Sequence, residues 1–113
     1  MITRKDVERS LSETIAKLEA MHNELREMQR TAASGKRAMS MGRLEPMERA
    51  RTIAALKESD QRSARLRSEL DREHADFERS VAEGLKDSRI DQARHDELIA
   101  RSRELQSSRP RRS

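Results

Sequence analysis

Apolar residues recur at alternating steps of three and four over residues 5–31, at Val7, Leu11, Leu18, Met21, Leu25 and Met28. Leu11, Leu18 and Leu25 share one heptad position; Val7, Thr14, Met21 and Met28 share the other. That spacing predicts an amphipathic helix with a narrow seam. Glu13 and Lys17 support it as an i,i+4 pair in the favourable order. The pattern resumes over 47–83 through Met47, Ala50, Ile53, Leu56, Leu66, Leu70, Phe77 and Val81, and Gly84 ends it. A third run, from about 89 to 106, passes through Ile90, Ala93, Leu98 and Leu105, and Ser88 with Asp91 is spaced like a capping box at its start.

Residues 32–46 interrupt the periodicity. Gly35 and Gly42 disfavour helix, Ser34 and Ser40 compete for backbone hydrogen bonds, and Pro46 stands where a first helical turn accepts it. The expected organisation is one small domain. It comprises a first helix (1–31), a flexible basic linker (32–46), a long second helix with a shorter third one (47–106), and a disordered basic tail (107–113). The fold class is all-α: an elongated antiparallel helical hairpin, or three-helix coiled-coil-like bundle, expected to self-associate through its seams.

Pairing the seams of the first two helices so that residue numbers sum to about 78 sets Leu25 against Ile53, Met21 against Leu56, Leu11 against Leu66 and Val7 against Leu70. For the third helix a sum near 175 sets Phe77 against Leu98 and Leu70 against Leu105. Whether the seams close within one chain or between chains is left open by the pattern.

Composition explains why the seams must be narrow. Leu, Ile, Val and Phe are 18 of 113 residues, Phe77 is the only aromatic, and charged residues make up 41%. So little apolar surface suits either disorder or helices sharing thin stripes, and the near balance of 25 basic and 21 acidic residues favours the stripes. With no cysteine, disulfides and thiolate metal sites are excluded. No run approaches the ~20 apolar residues of a membrane span, and MITRKDVERS lacks the apolar core of a signal peptide. A soluble, cytoplasmic protein without membrane contact is expected.

Candidate chemistry is sparse. Ser34-Gly35-Lys36 resembles the end of a phosphate loop, but the first glycine position is Arg30, the residue after Lys36 is Arg37, and a helix precedes it. Glu19 with His22 and Asp71 with His74 place a carboxylate and an imidazole one turn apart, as bundle metal sites do. The pairing above separates the two histidines by about 27 Å along the helix, so no metal or other cofactor is expected. Without a cysteine nucleophile, a nucleophile elbow or aromatic pocket walls, the chain reads as non-enzymatic.

What remains is recognition. A helical adaptor, scaffold or chaperone-like role would use the seam residues Val7, Leu11, Leu18, Met21, Leu25, Met28, Ile53, Leu56, Leu66, Leu70, Phe77, Val81, Leu98 and Leu105 for protein partners or further copies of the chain. Met39, Met41 and Met47 cluster with Leu44 near the linker, and flexible methionines suit adaptable surfaces as well as ordinary packing. The alternative is a nucleic-acid-associated accessory role. It would use Lys36, Arg37 and Arg43 in the linker with Arg109, Arg111 and Arg112 in the tail, which can contact phosphates but offer no base readout. Replacing Leu11, Leu18 and Leu25 together with Asp is expected to abolish helicity and assembly. Retained helical circular dichroism in that triple variant would refute the seam.

Overall fold

The computed structural model describes residues 2–42 and 44–109. Thr3 opens the first helix with the capping box that its spacing to Asp6 allows: the Thr3 hydroxyl accepts from the Asp6 N–H, and the Asp6 carboxylate accepts from the Thr3 N–H. Helix α1 then runs from Arg4 to Ser40, α2 from Pro46 to Lys86, and α3 from Gln92 to Ser107. At 1.5 Å per residue these are about 56, 62 and 24 Å long. Among the described residues no strand forms, and the molecule measures 62 × 24 × 17 Å. It is an all-α, elongated helical hairpin whose lower half is completed to three helices by α3.

The break expected at 32–46 is confined to residues 41–45, because α1 continues without interruption past Thr31 as far as Ser40. Gly35 costs helix propensity, about 1 kcal/mol relative to Ala, but tertiary packing overrides it. A Cβ there would lie 3.3 Å from Leu56 Cδ2 and 3.6 Å from Thr52 Cγ2, so the absent side chain lets α2 approach closely. The turn falls instead at Gly42, whose φ of 66° is a conformation that glycine adopts freely. Pro46 then starts α2 as its first residue.

The register of α1 against α2 also differs from expectation. Gly35 meets Leu56, Met28 meets Ser63 and Val7 meets Gly84, pairs whose numbers all sum to 91 rather than 78. The shift of 13 residues is about 20 Å along the helices, and the shorter turn accommodates it. Ile53 is therefore 39% exposed instead of seated on Leu25, and Leu56 is half-buried over Gly35. The α2–α3 register holds: His74 with Ser102 and Gly84 with Ile90 lie within one of the expected sum. Helix α3 is capped by Asp91, which accepts from the Arg94 N–H, while Ser88 occupies the turn with φ 57°. The Gly84 carbonyl accepts from both Arg89 and Ile90 there.

The core closes within one chain. Leu11, Leu18, Leu25, Leu66, Leu70, Phe77, Val81, Ile90, Leu98 and Leu105 are buried together, with Val7, Met21 and Met28 packed against them. No residue from 26 to 65 is buried among those described. The outer half of α1 and the first half of α2 thus form a two-helix arm on a three-helix body. Replacing Gly35 with Leu is expected to cost about 1–3 kcal/mol by overpacking and to open the arm alone. Hydrogen exchange would show lost protection over 29–40 and 46–60 with the body unchanged; uniform loss would refute the division.

Candidate functional site

Each helix carries one polar residue set four positions after a buried core residue and three before the next. These are His22 between Leu18 and Leu25, His74 between Leu70 and Phe77, and Ser102 between Leu98 and Leu105. The three meet in a single layer across the body. His22 Nε2 lies 2.8 Å from His74 Nε2, and His74 Nδ1 lies 2.8 Å from Ser102 Oγ. All three are buried, at 0, 2 and 0% exposure. The expected separation of the histidines is thereby overturned, and the corrected register is the reason.

Hydrogen bonding sets the tautomers. His22 Nδ1 is buried without a partner. An orphaned buried N–H is rarer and costlier than an orphaned lone pair, so the proton of His22 belongs on Nε2, donating to His74 Nε2. His74 then donates from Nδ1 to Ser102 Oγ, which also accepts from Gln106 Nε2 at 3.3 Å. Burial, the His74 ring, and the Arg109 and Arg26 guanidiniums push His22 down from 6.5 to about 4. Burial and Arg109 also lower His74, against a partial upward pull from Glu78 and Asp71. Both rings are neutral at pH 7.

The layer is built as a hydrogen-bond chain rather than a metal cage. Two imidazoles on one tetrahedral zinc would hold their nitrogens about 3.3 Å apart, more than the 2.8 Å here. The carboxylates that the sequence spacing offered are committed elsewhere: Glu19 to Arg101 at 2.9 Å and Asp71 to Arg109 at 2.7 Å.

The second feature is a trough. In the body α3 lies in the groove between α1 and α2. Above Ser107 that groove continues along the arm, uncovered by the described residues, as an open space of about 460 Å³ lined by Ala32, Ala33 and Lys36 of α1 and Asp60, Ser63, Ala64 and Arg67 of α2. Exposed Met41 and Met47 crown the arm, and Ile53 lies on the Asp60 face at i,i+7. Residues 29–65 hold nine Lys and Arg against four Asp and Glu, a net charge of +5 that exceeds the whole chain's +4. The described inter-helix ion pairs all belong to the body.

Of the basic candidates, Lys36 lines the trough and Arg37 is exposed beside it. Arg109 is no free tail cation: it donates to Asp71 and its side chain is 18% exposed. Arg43, Arg111 and Arg112 lie outside the described residues. Sequence reasoning missed the polar layer, although its signal was present in the repeated four-then-three spacing on all three helices. No family model, curated protein or solved structure matches the chain. No described helix is long and apolar enough to cross a membrane.

The two histidines bind protons more readily in the unfolded chain than in the fold. Their contribution to stability is therefore complete above pH 6.5 and is lost as pH falls, for His22 through about 4. For His22 alone the full span corresponds to about 3 kcal/mol. Urea unfolding at pH 7.5 and pH 4.5 is expected to show this loss. In the H22L/H74L/S102A variant only the part carried by other groups would remain, and equal losses in the two proteins would refute it.

Proposed function

We propose that the protein is a non-enzymatic helical adaptor whose body holds a two-helix arm out to a protein partner. The observation that carries this reading is the groove that α3 fills only in part, so that among the described residues nothing covers the arm's trough or its exposed Met41, Met47 and Ile53. Recognition would be helix against helix, with apolar residues at i, i+3, i+4 and i+7 of the partner supplying affinity. The adaptable methionines at the arm's end suit that use. The body's seam is satisfied within one chain, so self-association has only the arm to draw on, and arm-to-arm contact would bring two net +5 surfaces together.

A nucleic-acid-associated role is the second reading, favoured by that same charge. The arm lacks aromatic residues for stacking, and its basic positions are distributed around both helices. Those features would support phosphate contact without sequence readout.

A photo-crosslinking residue placed at Ala33 or Ala64 of the trough is expected to capture discrete proteins in cells expressing the chain. The same residue at Arg79 on the body should not. Capture from Arg79 but not from the trough would refute the adaptor arm, and capture of nucleic acid from the trough would favour the second reading.

A further inference from the structure

The groove between α1 and α2 changes charge along its length, and the change coincides with the end of α3. In the body its walls carry acids, and α3 with the residues just past its end answers each of them with an arginine. Glu8 of α1 takes Arg94 at 2.6 Å and Glu19 takes Arg101 at 2.9 Å. On α2, Glu78 takes Arg103 at 3.2 Å and Asp71 takes Arg109 at 2.7 Å. Continuing the Glu8–Glu19 face of α1 at helical steps of seven and eleven, the next residues are Arg26, which donates to Asn23 and to Ser108 at the end of α3, then Arg30, which pairs with Glu27 one turn back, and Arg37. The same progression on α2, from Glu78 and Asp71 towards the tip, reaches Ala64, Asp60 and Ile53. The covered half thus has acidic edges and a basic occupant, whereas the open half has a basic α1 edge with Arg30 and Arg37 and a mixed α2 wall, where Asp60 and Arg67 flank the small Ser63 and Ala64.

From this inversion we infer that the open trough receives an acidic amphipathic helix of a partner protein, laid in line with α3 and carrying Asp or Glu along its α1-facing edge. The inference rests on the adaptor reading above and names its partner's chemistry. The walls also set the shape of the occupant. Ala32, Ala33, Ser63 and Ala64 are small, so the incoming helix must bring the large side chains, Leu, Ile or Met, that fill the space. From Gln29 to Ser40 the trough offers about 17 Å, three turns of helix. A second copy's α3 does not fit, because its inward edge is arginine and would meet Arg30 and Arg37. A second copy's arm is excluded by the same sign of charge.

The test uses two fluorescein-labelled sixteen-residue designed helical peptides with one Leu and Ile stripe, flanked in one by Glu and in the other by Lys. Anisotropy with the full-length protein is expected to show at least tenfold tighter binding of the Glu peptide at physiological salt. Ala33→Arg and Ala64→Arg each fill the trough while adding positive charge. Either should weaken the Glu peptide at least tenfold, with circular dichroism unchanged, and R30E/R37E should do the same. Affinities of the two peptides within threefold of each other would overturn the inference. So would Glu-peptide binding that A33R leaves intact or strengthens, since that is attraction to a basic surface only. A duplex DNA that displaces the Glu peptide, and itself binds A33R tenfold more weakly, would overturn it in favour of nucleic acid. If the trough crosslinks to proteins and yet shows no preference for the Glu peptide, the adaptor reading stands and the acidic partner falls.

Discussion

The His22–His74–Ser102 layer is the constraint on which the arrangement of the helices depends. A seam made only of leucines can slide by a heptad with little penalty, since one leucine replaces another. A buried imidazole cannot. If α1 slipped against α2, His22 and His74 would each face apolar side chains with ring nitrogens unpaired, at a cost of about 1–3 kcal/mol for each lost partner. In the observed register both rings share one hydrogen bond and Ser102 accepts the next. The layer thus couples all three helices to one another, the use of buried polar groups with the best physical footing. Leu18, Phe77 and Leu98 lie one turn to one side, and Leu25, Leu70 and Leu105 one turn to the other, so the apolar core brackets it.

Everything above the layer follows from that register. It places the turn at Met41 and Gly42 so that α1 and α2 extend together beyond the reach of a sixteen-residue α3. The body holds the buried leucines and the inter-helix arginine pairs. The arm holds a seam of small or half-buried residues, including Gly35, Leu56 and Ser63, and a net positive charge larger than that of the whole chain. With few buried apolar side chains, the arm is the part of the molecule whose local opening costs least. Recognition and stability are thereby assigned to different ends of the same two helices.

Helix content and the seams of the body were legible from spacing alone, because Leu11, Leu18, Leu25, Leu66, Leu70, Phe77 and Val81 keep helical steps over several turns. The α2–α3 pairing was legible too, since a short turn after Gly84 leaves little freedom in register. Three features were misread for one reason, a local signal outweighed by a distant contact. Gly35 looks like a breaker until Leu56 is seen lying against it. Ser88 has the spacing of a cap, yet the backbone needs it in the turn and Asp91 takes the capping role. The histidines look like flank residues when Met21 is counted into the heptad, and become core residues once each is placed between its neighbouring leucines or phenylalanine.

The sequence by itself determined that this chain is helical, that its core is thin, and that positive charge gathers near its middle, since each depends only on residue type and short-range periodicity. The tertiary structure alone decided where α1 turns back and which residues of α1 meet which of α2. It also decided that His22 and His74 touch and that the described residues leave half of one groove open. Those outcomes rest on contacts between residues far apart in the chain, such as Gly35 with Leu56 and His22 with His74. Several registers satisfy the apolar pattern, but only one also satisfies the buried polar atoms.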